Sequence, residues 1–219
     1  MKPKFIIAMA VAAASLAGCK SEESPNRYVG LSFVTYEGTT PDSRSIFTLQ
    51  KVNDAPEMEL RARWMPPEWL KPGRRLVIQY SMDALPEASV VNDVDLLTCT
   101  LPFGDTIRFM ADSAVWSSEP LFVNSIWRSG HYINLDCMMR PTTVDGEGSL
   151  ELVADSISST TSHPVLFLTA SGQRTGSPYV YTVYGSWNID TLWSRPDVEA
   201  VTVRADNANL NVNSFTFTK

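Results

Sequence analysis

Beyond Arg27, apolar residues recur at every second position rather than every third or fourth. Over 57–64, Met58, Leu60, Ala62 and Trp64 fall on one side of the chain, and Glu57, Glu59, Arg61 and Arg63 on the other. Leu76, Ile78, Tyr80 and Met82 alternate with Val77, Gln79 and Ser81 in the same way. Ile133, Leu135, Cys137 and Met139 alternate with Asn134, Asp136 and Met138. A period of two marks a strand that buries one face. Further β-rich runs occupy 31–36, 45–51, 90–101, 106–110, 121–127, 149–153, 165–169, 179–187, 200–204 and 210–218. Turn residues separate them at Glu37-Gly38, Pro72-Gly73, Gly104-Asp105, Ser129-Gly130, Asp145-Gly146 and Gly172. No window of twelve or more residues after Arg27 carries an amphipathic helix, and the short Ile189–Ser194 stretch suits a single turn. The pattern predicts an all-β protein.

About five strands precede Met110, the complement of a small Greek-key barrel such as the OB-fold. Polar Ala111-Asp112-Ser113 and loop-like Ser117-Ser118-Glu119-Pro120 then interrupt the strand pattern. About seven strands follow, enough for a sandwich. The expected organisation is therefore an N-terminal OB-like five-stranded barrel over 28–112 and a C-terminal β-sandwich over 113–219.

Composition narrows the class without changing this architecture. With 44% apolar residues in 219, the chain is too hydrophobic to be disordered. Three cysteines are too few for a disulfide scaffold. A balance of 18 basic to 24 acidic side chains, net −6, offers nothing for nucleic acid to bind.

The N-terminus changes the picture more. Lys2 and Lys4 precede a twelve-residue apolar run, Phe5 to Leu16. That is short of the roughly 20 residues a spanning helix needs, and it has the layout of a secretion signal. Leu16-Ala17-Gly18-Cys19 resembles the lipobox of bacterial lipoproteins, which implies a signal peptide over 1–18 and acyl chains, palmitate among them, on Cys19. Several chains hold a protein to a membrane far more firmly than one does. Cleavage takes 18 residues and two lysines, leaving 201 residues with 16 basic and 24 acidic side chains, net −8. An acidic surface gains nothing from anionic lipid, so the acyl chains do the anchoring. Residues 19–27 read as a flexible tether. Within it, Lys20-Ser21-Glu22-Glu23 resembles the surface-export signal of some Gram-negative lipoproteins, and reads equally as a polar spacer. Lys20 differs from the Asp of the inner-membrane retention signal, so the expected location is the outer membrane, facing the periplasm or the cell surface.

Several segments together resemble the NigD-like lipoproteins of Gram-negative bacteria. They are the lipobox at Cys19, Leu70-Lys71-Pro72-Gly73-Arg74-Arg75-Leu76-Val77-Ile78-Gln79-Tyr80, and Asp112-Ser113 followed by Ile126-Trp127, Gly130 and Tyr132-Ile133-Asn134. Tyr184-Gly185-Ser186-Trp187-Asn188-Ile189 and the closing Phe215-Thr216-Phe217 complete the match, which spans most of 28–219. The resemblance implies an OB-like domain, a β-sandwich and no established activity. Its name comes from a bacteriocin gene cluster and implies an immunity or accessory role. The chain departs from the family at 53–69, where an acidic-Gly turn is replaced by NDAPEMELRARWMPPEW.

Motifs of catalysis are scarce. There is no G-x-S-x-G elbow, no H-E-x-x-H, no C-x-x-C, no Walker A loop and no G-x-G-x-x-G. His131 and His163 are the only imidazoles, both in turn-like sequence. Carboxylates that meet only in the fold would leave a hydrolase reading open. No metal or cofactor is expected. Cys99 and Cys137 fall in phase with apolar neighbours, Cys99 with Leu97 and Leu101, and read either as a disulfide between the domains or as two buried thiols. Trp116, Trp127, Trp187 and Trp193 suit core or interface packing. Trp64 and Trp69 flank the proline-stiffened Met65-Pro66-Pro67-Glu68. They read either as a ligand surface for a sugar or a partner, or as the end of a buried face and a cap on the barrel. The leading expectation is a non-catalytic binding or accessory lipoprotein whose partner is a protein, peptide or glycan. Bacteriocin immunity and an envelope hydrolase stand as alternatives.

Overall fold

The computed structural model describes residues 27–110, 118–140, 148–155, 158–173, 180–209 and 211–219. The expected signal peptide over 1–18, the lipidated Cys19, most of the tether, Trp116 and the Ala111–Ser113 junction lie outside these residues.

The first five strands are β1 (Tyr28–Thr39), β2 (Ser45–Leu49), β3 (Met58–Ala62), β4 (Arg75–Met82) and β5 (Val91–Thr100). They close into a barrel in the order β1-β2-β3-β5-β4, with β3 and β5 parallel and the other pairs antiparallel. This is the expected OB-like barrel. Alternation explains how it fills: Met58, Leu60 and Ala62 of β3 and Leu76, Ile78, Tyr80 and Met82 of β4 all point into one core with Val34, Tyr36 and Phe47. Closure leaves no strand of the barrel with an open edge.

One stretch breaks the alternation. Cys99 faces inward as expected, but Leu97 and Leu101, in phase with it by sequence, are exposed. The register of β4 on β5 shifts at Gln79/Tyr80, where Gln79 pairs with Thr98 and Tyr80 with Leu96. The bulge that skips Leu97 turns its side chain out.

The remainder forms a two-layer sandwich. One sheet has the order β13-β12-β10-β9-β6 and the other β11-β8-β7. Their strands are β6 (Arg108–Met110), β7 (Phe122–Ser129), β8 (Tyr132–Met139), β9 (Ser149–Asp155), β10 (Val165–Ser171), β11 (Tyr181–Asn188), β12 (Ala200–Ala205) and β13 (Ser214–Thr218). The helix α1 (Asp190–Trp193) is the single turn expected near Ile189. Between the sheets lie Ile133, Leu135, Cys137, Leu152, Leu166, Leu168, Trp187 and Val203. Trp187 lies over two glycines: a Cβ at either Gly104 or Gly185 would come within 2.2 Å of its indole.

The change of unit comes earlier than 112/113. Phe103 bridges Gly185, Thr106 bridges Asn188, β6 pairs with β9, and Ile107 is buried in the sandwich core. Residues 103–110 therefore belong to the sandwich, because the run read as a barrel strand finds its partners there. The barrel ends at Thr100.

Candidate functional site

The barrel and the three-stranded sheet share a seam built around two arginines. On the outer face of the barrel, Thr35 pairs with Arg75, Phe33 with Val77 and Leu31 with Gln79. Such positions would meet water on a free barrel, yet Phe33 and Val77 are buried and Arg75 is only 5% exposed. The covering surface is the outer face of the β11-β8-β7 sheet.

Arg75 reaches this face, where no carboxylate among the described residues pairs with it. Its Nε donates to Ser186 Oγ at 3.3 Å, Nη1 to Thr35 Oγ1 at 3.2 Å, and Nη2 to Ser129 Oγ and Asn134 Oδ1 at 3.2 Å each. The guanidinium also stacks 4.3 Å above the ring of Tyr132. Burial pushes its pKa down to about 10, so it remains a cation at neutral pH, held entirely by neutral acceptors and a ring. Ser129, Asn134 and Ser186 also bond one another, Asn134 Nδ2 donating to Ser129 Oγ at 2.8 Å and Ser186 Oγ to Asn134 Oδ1 at 2.9 Å.

Arg128 is the reciprocal anchor. It is 1% exposed, lies 4.3 Å over the ring of Trp193 and forks onto Asp54 of the β2–β3 loop, with Nη1 to Oδ1 at 2.9 Å and Nη2 to Oδ2 at 2.7 Å. Hydrogen bonds from Arg128, and then its charge, hold the Asp54 carboxyl below the usual carboxylate range. Backbone bonds seal the contact: Asn53 N–H donates to Arg128 O at 2.6 Å and Gly130 N–H to Asn53 O at 2.7 Å. Gly130 has φ +52, and a Cβ there would sit 2.2 Å from Gln50 Oε1. The left-handed φ suits glycine, and a side chain there would displace the Gln50 amide.

Alongside these polar anchors, Phe33 meets Trp127 and Tyr184 edge to face, with centroids at 5.0 and 5.7 Å. Where the seam opens to solvent beside Trp127, it leaves a cleft of about 250 Å³. Tyr28, Leu31 and Phe33 line it from the barrel, Gln50 and Lys51 from the β2–β3 loop, and Trp127 and Asp136 from the sheet. Asp136 is the one carboxylate on its wall among the described residues, and Asn124 Nδ2 orients it at 2.9 Å. The cleft combines apolar rings with a few fixed polar groups, which is the composition of a small-ligand site.

The residues singled out by sequence lie elsewhere. Trp64 packs against Phe47 at 5.9 Å on the barrel core. Trp69 is 60% exposed, and the apolar cap at that end is Leu70 instead. Their loop lies by the C-terminal end of β1, where Gly73 N–H donates to Tyr36 O, whereas the cleft gathers on the N-terminal half. Cys99 and Cys137 are free thiols in separate cores, Cys99 against the barrel and Cys137 within the sandwich. The disulfide alternative is thus not formed, because each strand turns its thiol into its own domain. Burial raises both pKa values, that of Cys137 to about 12.

The histidines sit on the surface. His131 Nδ1 is 2.9 Å from Asp190 Oδ1, which also accepts from Ser194 Oγ. His163 stands between Ser162 Oγ, 2.9 Å from its Nδ1, and Glu199, 3.6 Å from its Nε2. Both imidazoles are more than half exposed and neither lines the cleft. No group of three or more His, Cys, Asp or Glu able to hold a metal occurs among the described residues. Nor is any helix among them long and apolar enough to cross a membrane.

No family model matches the chain, and no curated protein matches it either. Solved structures do. A protein of unknown function from Bacteroides vulgatus aligns with TM-score 0.66 at 17% identity, covering 88% of this chain and 91% of that one. A NigD-like immunity protein from Bacteroides caccae aligns with TM-score 0.57 at 15% identity, over 86% and 91%. The fold is the NigD-like one. A candidate lipoprotein of Bacteroides fragilis aligns with TM-score 0.54 at 16% identity, over 88% and 96%. Three of the segments that carry the sequence resemblance to NigD-like proteins converge on the seam. The first supplies Arg75, the second Trp127, Tyr132 and Asn134, and the third Tyr184 and Ser186. Alternation puts Arg75, Asn134 and Ser186 on faces that look solvated, so nothing local in the sequence brings them together.

Proposed function

We propose that this chain is a lipid-anchored protein of the outer membrane that binds a ligand without transforming it, and that the cleft at the seam is where it binds. The supporting observation is the cleft itself: aromatic and polar side chains from both units, held in fixed relation by Arg75 and Arg128. A site pre-formed in this way binds without first ordering its walls. One carboxylate on the wall suits recognition better than glycoside cleavage, which takes two. Acylation of Cys19 would place the cleft close to the membrane, because only eight residues lie between Cys19 and Tyr28, at most about 30 Å of chain.

The test uses the full-length protein in cells. Cys19→Ser should abolish palmitate labelling and release the protein from the membrane fraction. A photo-crosslinking residue at Leu31 should give a discrete adduct, and one at Phe109, exposed on the sandwich, should not. Equal crosslinking at both positions would refute the cleft as the site.

A second reading, bacteriocin immunity, is favoured by the likeness to the Bacteroides caccae protein. There the bound ligand is a toxin. Expression in a sensitive strain should then protect it, and Leu31→Arg should remove the protection.

A further inference from the structure

The walls of the cleft narrow the ligand to one class. A β-rich protein takes a ligand either by adding a strand at an open sheet edge or by seating a compact group in a pocket. The edge beside the cleft is β7, and its ends are occupied. At one end Arg128 O accepts from Asn53 N–H. At the other, Leu121 N–H donates to Asp206 O, Leu121 O accepts from Ala208 N–H, and Asn209 Nδ2 donates to Val123 O. Among the described residues nothing pairs with the edge over Asn124–Trp127, and the register break between Val123 and Ser125 bulges it. A short bulged edge is a poor template for an extended peptide.

A compact ligand must satisfy what lines the pocket. A purely apolar group would strip water from Lys51, from Asp136, which keeps only the bond from Asn124 Nδ2, and from the Gln50 oxygen, whose Nε2 donates to Ala55 O, at a cost in each case. A phosphate would find Lys51 but meet Asp136. A pyranose ring answers both needs: its C–H face packs on an aromatic ring, and its hydroxyls donate to a carboxylate and exchange bonds with an amide. Lys51 adds a cation suited to an acidic substituent on that ring.

We infer that the cleft binds a saccharide, seating one pyranose ring against Trp127 with its hydroxyls on Asp136 and Gln50, and preferring a uronic acid whose carboxylate reaches Lys51. This rests on the cleft being the binding site.

The experiment is an array of neutral, amino and uronic-acid oligosaccharides probed with the acylated protein in detergent micelles. Calorimetric titration of the strongest binder then follows. Uronic-acid oligosaccharides should bind best. Asp136→Ala and Lys51→Ala should each weaken binding at least tenfold with unchanged thermal unfolding, while Trp69→Ala should not alter it. Saccharide binding that survives both cleft substitutions would overturn the assignment. If no saccharide binds but an array of short envelope peptides does, and Asp136→Ala abolishes that binding, the saccharide falls and the cleft stands. If nothing bound is sensitive to Asp136→Ala, both fall.

Discussion

Replacing Asp54 by alanine removes the carboxylate that neutralises Arg128, and the structure sets the size of the effect. Arg128 is 1% exposed, while the Asp54 side chain is 74% exposed. If both partners were buried, the orphaned charge would cost about 3–5 kcal/mol; if both were exposed, about 0–1 kcal/mol. Water reaching Asp54 screens the pair, but Arg128 cannot follow it into solvent without opening the seam. It retains Gly130 O and the ring of Trp193, and its Nε has no partner among the described residues. These considerations place the loss at about 2 kcal/mol, a fall in Tm of about 4–8 °C for a chain of this size. The assay is thermal unfolding of the wild type, Asp54→Ala, Arg128→Met and the double variant. A double-mutant cycle should return a coupling of about 1.5–2 kcal/mol. A loss under about 0.5 kcal/mol with no coupling would mean that Arg128 is solvated and that the two units are not clamped at this point.

The same pair predicts a pH response. The Asp54 carboxyl titrates lower in the folded protein than in the unfolded chain, so its contribution is present above the ordinary carboxylate value, about 3.9, and fades as pH falls through the folded one. The stability gap between wild type and Asp54→Ala in urea should be full at pH 7 and close towards pH 2; a gap unchanged at pH 2 would contradict the assignment. Arg75→Met should change stability by less than about 1.5 kcal/mol, since it removes a desolvated charge while Ser129, Asn134 and Ser186 keep their mutual bonds. A loss above about 4 kcal/mol would show that the cage depends on the guanidinium. Gly185→Ala should cost about 3 kcal/mol or more in thermal unfolding, because its methyl would sit 2.2 Å from the Trp187 ring. Thiol titration should find Cys99 and Cys137 both free after denaturation without reductant, and native Cys137 should resist alkylation at pH 8.

How far the fold could be read from sequence depended on where each strand found its second neighbour. Met58, Leu60 and Ala62 bury one face within a single barrel, so alternation alone located them. Leu97 departs from alternation because a bulge depends on the partner strand, and nothing local announces that β5 carries an extra residue there. The junction was misread for a similar reason: 106–110 has strand composition, and only its pairing with β9 and β11 assigns it to the sandwich. The seam was least legible. Arg75, Ser129, Asn134 and Ser186 look like solvent-facing positions, and their burial comes from elements 54 to 111 residues away. Trp64 and Trp69 stand on one short stretch of sequence, whereas the cleft takes Tyr28, Gln50, Trp127 and Asp136 from four separate ones.

The central claim is that ligand binds in the cleft between barrel and sandwich. Its most direct test is an amide chemical-shift map of the full-length protein in detergent micelles, titrated with a uronic-acid oligosaccharide. The account predicts saturable shifts confined to Leu31–Phe33, Gln50–Lys51 and the facing stretch from Asn124 to Asp136. Shifts centred on Met65 and Trp69, with the cleft amides unmoved, would contradict it.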